Sequence, residues 1–147
     1  MHLDRYSYNS STSKTNLDYE FESIGPKGTI RKVVRFTEIY EGIYNLGFGD
    51  LDESADKIID DIVTNNGDGE KILITVATIA DDFTKRNPNA IIFIEGSTKS
   101  RTRLYQINIA KYWMEINKTF EIRGLLNDKW MLFKNDVNYD AFLALRH

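Results

Sequence analysis

The segment that decides the fold reads Ile91-Ile92-Phe93-Ile94-Glu95-Gly96-Ser97-Thr98-Lys99-Ser100-Arg101-Thr102-Arg103-Leu104-Tyr105. An apolar run typical of an internal strand leads into a glycine, then into hydroxyl and cationic residues, and then into a helical pattern. The start of a helix exposes backbone N–H groups and the positive end of the helix dipole, and both attract anions. The segment therefore predicts a strand, a helix and a candidate anion site between them.

Four residues of this junction are candidates for the anion site: Ser97, Thr98, Arg101 and Arg103. Hydroxyl and guanidinium groups donate hydrogen bonds that suit phosphate or carboxylate oxygens. The same residues also fit a capped helix start whose arginines pair with acidic surface residues, and they fit a protein interface. The segment has neither the Gly-Lys-Ser/Thr ending of a phosphate-binding P-loop nor the dinucleotide pattern GxGxxG, so it names no ligand.

Alternating apolar and polar residues before the junction predict several strands. Gly47 and Gly49 flank Phe48 and predict a bulge or a close backbone approach. The predicted elements are a short strand at Tyr6 and Tyr8, a polar loop over 9–16, a hairpin about residues 25–28 whose second strand covers 29–37, and a strand over 43–48.

The stretch 56–63 fits either one helical face or a short returning strand, and its β-branched residues favour the strand. The later elements are a helix over 70–86, a strand over 90–95, a helix over 100–117, a hairpin about Asn127 and Asp128, and a last strand near 142–146. The apolar face predicted for the second helix holds Leu104, Ile107, Ala110 and Met114, and apolar residues beside it indicate burial on more than one side or an interface. This order predicts the α+β class, with two main helices packed on a largely antiparallel sheet.

Length and composition indicate a single domain over residues 1–147 with a sizeable core. The chain has no cysteine, which excludes disulfides and thiolate chemistry, and its two histidines, His2 and His147, are poor candidates for a metal site or a triad. We therefore predict no metal and no cofactor. Without an apolar run long enough to span a bilayer or a signal-peptide core, the expected location is the cytoplasm, with no membrane partner.

The net charge of −3 does not favour nucleic acid as a partner, although the charges are unevenly distributed. Acidic residues crowd 50–61, while cations crowd 27–35 and 99–103, so the folded chain can carry an acidic face and a basic face. Solvated loops and strand faces are the simpler interpretation. The acidic stretch lacks the ligand order of a calcium-binding EF-hand loop.

The turn over 64–69 supplies three further candidates for a ligand site: Asn65, Asn66 and Asp68. Amide and carboxylate groups beside glycines can orient a substrate or coordinate a metal. The same residues are those that a tight turn into a helix requires, and Asp68 is placed to cap that helix. A turn is the favoured interpretation.

Several blocks of the chain resemble an uncharacterised family of small bacterial proteins, found mainly in Bacteroidetes and known only as a domain of unknown function. The blocks run through residues 19–28, 44–50, 64–68, 96–106 and 138–143, so the resemblance spans almost the whole chain. The block that ends in Leu104-Tyr105-Gln106 adds Tyr105 and Gln106 to the candidate ligand-binding residues. The resemblance implies no activity, but its blocks coincide with the junction and the turn already selected on chemical grounds.

Three functional hypotheses remain open at this point. The first is a small binding module that holds an anionic group at 96–106: a nucleotide, a nucleic-acid phosphate or an acidic segment of a partner protein. The second is an enzyme in which Asp50 or Asp68 acts as a base or a metal ligand and Arg101 and Arg103 stabilise developing negative charge. The third is a homo-oligomeric interaction protein built on the second helix, for instance in a toxin–antitoxin or phage-defence system.

Overall fold

The computed structural model describes residues 4–12, 16–52, 57–59 and 66–147. These residues form one sheet and three helices, which confirms the α+β class. The elements are β1 (Asn9–Thr12), β2 (Asn16–Gly25), β3 (Gly28–Tyr40), β4 (Ile43–Asp52), β5 (Lys57–Ile59), α1 (Gly69–Arg86), β6 (Ile91–Ile94), α2 (Lys99–Lys111), α3 (Trp113–Thr119), β7 (Phe120–Leu126), β8 (Lys129–Leu132) and β9 (Ala141–Arg146).

The strands lie in the order β1-β2-β3-β4-β6-β9-β7-β8, and β5 pairs with the far end of β4. The pairing of β4 with β6 is parallel, whereas the other pairs in the described sheet are antiparallel. The connection from β4 to β6 passes through α1, as a parallel pair requires. The predicted hairpins about residues 25–28 and about Asn127 and Asp128 are confirmed.

The core lies between one face of this sheet and the three helices. The register aligns Tyr44, Ile92, Ala144 and Ile122 across four strands, so these side chains point to the same face. On the β3 side, Phe36 stacks on Phe83 of α1 with ring centroids 4.0 Å apart. We call this side of the sheet the helix face, and the opposite side the open face.

Helix α1 confirms the prediction for 70–86 almost residue for residue. Ile72, Ile79 and Phe83 recur at helical spacing and are buried against the sheet. The helix ends at Arg86, where Asn87 donates its backbone N–H to the Phe83 carbonyl. Pro88 cannot continue the helix, so the chain turns toward β6.

The predicted helix over 100–117 is in fact two helices that meet at Tyr112, and its predicted packing face is wrong. The side chains that face the core are Thr102, Gln106 and Ile109, whereas Leu104, Ile107 and Met114 are 52%, 55% and 78% exposed. Hydrophobic periodicity predicted that the apolar row is buried, but the row that is buried includes two polar side chains, those of Thr102 and Gln106.

Two other local predictions are wrong, and so is one of the two alternatives predicted for Gly47 and Gly49, the bulge. Residues 9–12 are strand β1 and residue 16 begins β2, so 9–16 is not a loop, while 13–15 lie outside the described residues. Tyr6 and Tyr8 precede β1 and are not in a strand. No bulge occurs at Gly47 or Gly49, where the register with β3 is regular; the irregularity lies between Glu38 and Tyr40.

The ambiguous stretch 56–63 is a strand where the structure describes it, because residues 57–59 form β5; residues 56 and 60–63 lie outside the described residues. None of the helices in the described chain combines the length and apolar character needed to cross a membrane.

Gly124 provides a direct test of how tightly the last strands pack. A Cβ added there would lie 2.3 Å from the ring of Tyr139, whereas a Cβ at Gly69 would meet no atom within 4 Å. We expect Gly124→Ala to lower the free energy of unfolding by about 1–3 kcal/mol through overpacking. Gly69→Ala is the matched control and should leave stability unchanged or slightly higher. Urea unfolding measures both, and equal effects of the two variants would contradict this packing.

The ion pair between Asp81 and Arg146 ties α1 to β9 and predicts a pH effect. Burial raises the pKa of Asp81, but hydrogen bonds from Arg146 (2.6 Å) and Lys85 outweigh it, and the net pKa lies below the ordinary value. The stabilisation is therefore present above the unfolded-state pKa and lost as the pH falls through the lower folded-state pKa.

We expect Asp81→Asn to lower the free energy of unfolding at neutral pH by about 1–2 kcal/mol. The variant should also lose less stability than the native protein during acidification. Thermal unfolding across the acid range is the measurement, with Asp140→Asn at an exposed position as the control. If the native protein and Asp81→Asn lose the same amount of stability as the pH falls, the assignment is refuted.

Candidate functional site

The junction between β6 and α2 forms a helix start closed by its own hydroxyl groups. Thr98 is the N-cap, and its side chain accepts a hydrogen bond from the Arg101 N–H at 3.2 Å. The Thr102 hydroxyl accepts from the Gly96 N–H at 3.0 Å and donates to the Thr98 carbonyl at 3.1 Å. The first N–H groups of α2, those of Lys99 and Ser100, have no acceptor within the helix. The capped-helix interpretation is therefore correct for Thr98.

The loop lies so close to the helix that residue 96 must be a glycine. A Cβ there would lie 2.4 Å from the Thr102 nitrogen and 2.7 Å from the Arg101 Cβ, and neither can move without displacing the first turn of α2. The glycine in the predicted motif thus serves the packing of the junction.

The outer face of α2 and α3 carries cations and exposed apolar side chains together. Helix α2 contains Lys99, Arg101, Arg103 and Lys111 and has no acidic residue. Arg101 donates to the Ser97 hydroxyl at 3.2 Å, so two predicted site residues contact each other. Arg103 and Lys111 are exposed. They lie on the same side of α2 as the exposed Leu104 and Ile107. Met114 of α3 is exposed beyond the end of this helix.

Gln106 and Tyr105 face inward and hold the chain after β8. Gln106 is buried; its amide oxygen accepts from the Tyr139 N–H at 2.9 Å, and its amide nitrogen donates to the Val137 carbonyl. Tyr105 is half-buried and packs against the core. Gln106 therefore has a structural role. Its place in a block that resembles the family did not distinguish this role from ligand binding.

Asn66 is also a structural residue, because its side chain forms hydrogen bonds with the backbone of the β2–β3 hairpin. Its side chain is buried, accepts from the Lys27 N–H at 2.8 Å and donates to the Gly28 carbonyl at 2.9 Å. A Cβ at Gly25 would lie 1.9 Å from the Asn66 carbonyl oxygen, so the hairpin accepts only glycine there. The favoured interpretation of this segment as a turn agrees with these contacts.

Asp68 precedes α1 but does not cap it with its side chain. One carboxylate oxygen accepts hydrogen bonds from the Tyr6 and Ser23 hydroxyls, and the other, Oδ1, is buried with no partner among the residues that the structure describes. Burial, followed by the hydrogen bond to Asp68, raises the pKa of the Tyr6 hydroxyl. Sequence analysis missed Tyr6 as the partner, because the pair is 62 residues apart in the chain.

The candidate residues thus fall into three sets with different surroundings. Ser97, Thr98, Arg101 and Arg103 surround the exposed start of α2, Gln106 faces the loop before β9, and Asn66 and Asp68 contact β2 and its turn. In the sheet order, β4 separates that hairpin from β6. Asn65 lies outside the described residues.

Three of the four cations in the basic stretch predicted at 27–35 are paired within the sheet, and the fourth, Lys27, is exposed in the β2–β3 turn. Lys32 is fully buried and forms an ion pair with Asp50, Arg31 pairs with Glu20 at 2.7 Å, and Arg35 pairs with Asp18 at 2.7 Å. Asp50 is therefore engaged by a lysine of the adjacent strand, which does not support its role as a base. Across the described part of the chain, no cluster of three or more acidic or histidine residues could hold a metal.

These features define an α+β protein whose described helices lie on one face of a mixed sheet, with a cationic, partly apolar helix on the outside. The chain belongs to the family of unknown function DUF6934, whose model matches residues 2–147. This finding confirms the resemblance to a domain of unknown function. Neither the curated proteins nor the solved structures contain a match to this chain.

The contacts of Asn66 predict that it contributes stability. We expect Asn66→Ala to leave the Lys27 N–H without its acceptor and to lower the free energy of unfolding by about 1–3 kcal/mol. Asn89→Ala, at an exposed turn position, is the control and should have little effect. Chemical denaturation measures both, and a native-like stability for Asn66→Ala would mean that water replaces its hydrogen bonds.

Proposed function

We propose that this protein is a binding module that holds an acidic, partly apolar segment of a partner protein on the outer face of α2 and α3. The observation that carries the proposal is the exposure of Leu104 and Ile107 on the same face of α2 as Arg103 and Lys111. We call this surface the α2 face.

The composition of the α2 face supports a partner that is both acidic and apolar. The 13 residues of α2 include four cations and no acid, although the chain as a whole has a net charge of −3. Leu104 and Ile107, which are 52% and 55% exposed, lie between Arg103 and Lys111 along the helix. Contiguous exposed apolar groups mark interaction surfaces, and charge complementarity selects among partners.

The shape of the α2 face favours a protein segment over a free nucleotide. Small ligands bind in concave sites that bury most of their surface, whereas the outer face of a helix is convex. Phosphate oxygens would engage Arg103 and Lys111 but would leave Leu104 and Ile107 in water. An amphipathic segment covers the apolar side chains and places its carboxylates beside the cations.

The start of α2 extends this surface at one end. The exposed Ser97 hydroxyl, the free N–H groups of the first turn and the positive end of the helix dipole can receive a carboxylate from the same segment. In this proposal Ser97, Thr98, Arg101 and Arg103 keep the anion-binding role predicted for the junction, and the anion is a carboxylate.

Selection from a phage-displayed library of random peptides tests the proposal without a known partner. We expect enrichment of peptides that combine Asp or Glu with Leu, Ile or Phe. Fluorescence anisotropy with an enriched peptide then gives the affinity. Arg103→Gln with Lys111→Gln should weaken binding about tenfold and reduce its salt dependence, because two charge contacts near a surface contribute roughly 1.4 kcal/mol together.

Lys27→Gln with Arg86→Gln provides a matched control, because it removes two exposed cations on other elements, the β2–β3 turn and the end of α1. This control variant should bind the peptide like the native protein. Leu104→Ser with Ile107→Ser should weaken binding even at high salt, where charge contacts are screened. Equal losses in the control, or a single-stranded oligonucleotide that binds more tightly than any enriched peptide, would contradict the proposal.

A further inference from the structure

Helix α2 exposes one regular row of side chains along its length. The row faces away from the buried Thr102, Gln106 and Ile109. Its four members, all exposed, are Ser100, Leu104, Ile107 and Lys111. They are spaced by four, three and four residues, which is the spacing of helices that pack side by side over their whole length. We call this set the outer row.

The apolar centre of the outer row has an arginine on each side. Leu104 and Ile107 are 52% and 55% exposed. Arg103 lies on one side of the row and Arg101 on the other, while Lys111 follows Ile107 within the row itself. In paired helices the positions beside the apolar row carry charges that select the partner. This arrangement favours acids at the facing positions of a partner.

The cations of α2 form no ion pair with any acid in the described part of the chain. Cations of other elements do pair there, as Arg146 does with Asp81. The four without an acidic partner are Lys99, Arg101, Arg103 and Lys111. Arg101 contacts the neutral hydroxyl of Ser97, which leaves its charge uncompensated. The positive charge of the α2 face is therefore available to carboxylates of another molecule.

The start of α2 departs from the charge pattern of the other described helices. Helices α1 and α3 carry Glu70 and Glu115 in their first turns, where a carboxylate interacts favourably with the helix dipole. The first turn of α2 has no acid and contains Lys99 and Arg101 instead. Cations at this end oppose the dipole, and carboxylates supplied from outside relieve that repulsion. Such a local departure from the usual pattern is typical of a functional surface.

The backbone of α2 favours a helical partner over an extended one. An extended segment binds by backbone hydrogen bonds to the edge of a sheet. The outer row offers no such edge, because the backbone groups along a helix bond within the helix. A helical partner satisfies its own backbone and lays a row of side chains along Leu104 and Ile107. From Ser100 to Lys111 the row is about 17 Å long, which suits a partner helix of about three turns.

We infer that the α2 face binds its partner as an acidic amphipathic α-helix that packs side by side with α2. The inference rests on the proposed function and adds the conformation and the charge pattern of the bound segment. The apolar residues of the partner recur at three- and four-residue spacing and cover Leu104 and Ile107. Its acids border that row and face Arg101 and Arg103. One acid within the row faces Lys111 and fixes the register of the two helices.

Two phage-displayed peptide libraries of the same composition test the inference with the full chain as the target. The first fixes Leu and Glu at helical spacing, and the second places the same residues in alternation, as in a strand. We expect the best peptide of the helical library to bind about tenfold more tightly in fluorescence anisotropy. Far-UV circular dichroism should show that this peptide gains helix when it binds.

A proline at the centre of the helical peptide should weaken its binding about tenfold or more, because it interrupts the helix. A proline at the first residue is the matched control and should have little effect.

The outcomes separate the inference from the proposed function. If neither library yields a peptide that binds, both are overturned. If the alternating peptide binds as tightly as the helical one, or if the central proline is tolerated, the helical partner is overturned and the proposed acidic, partly apolar segment stands.

A charge reversal tests the register at Lys111. Lys111→Glu should weaken binding of the helical peptide about tenfold, and a peptide with Lys in place of the acid within its apolar row should restore the affinity for this variant. Arg86→Glu is the matched control, because Arg86 is also an exposed cation in the last turn of a helix. It should bind the original peptide like the native protein. An equal loss in Arg86→Glu, or a loss in Lys111→Glu that no lysine of the peptide restores, would contradict the register.

Discussion

The parallel pairing of β6 with β4 is the constraint on which the rest of the fold depends. Parallel neighbours need a crossover that leaves the sheet and returns from the other end, and such crossovers have a fixed hand. Helix α1 is that crossover, so its position on one face follows from the strand order. The chain then needs α2 and α3 to run from the end of β6 to the start of β7, and they pack beside α1. The helices that the structure describes consequently lie on one face.

The sequence predicted the local elements better than their arrangement. Helix α1, the strand at Ile91–Ile94 and the hairpin at Asn127 and Asp128 followed from periodicity and turn chemistry, because neighbouring residues decide them. The hairpin residues have φ values of 52° and 63°, which asparagine and aspartate tolerate. The position of β9 between β6 and β7 was not predictable in the same way. It depends on pairings between residues as far apart as Phe93 and Leu143.

Two errors about α2 and β1 have a common physical origin. Apolar periodicity predicts which face is buried only if the buried face is the more apolar one. In α2 the inward row includes Thr102 and Gln106, whose polar groups are satisfied by the junction loop and by the segment before β9. Strand β1 is exposed along its whole length and is held by pairing with β2. In both cases hydrogen bonds to distant segments outweigh the local hydrophobic signal.

The same property of α2 links the fold to the proposed function. A helix that buries polar residues and exposes Leu104 and Ile107 forgoes burial that a reversed orientation would provide. Two contacts fix its packing. Gln106 accepts a hydrogen bond from the Tyr139 N–H, and Gly96 leaves room for the first turn of the helix to approach the loop. The exposed row with Leu104 and Ile107 is therefore available to contact another molecule.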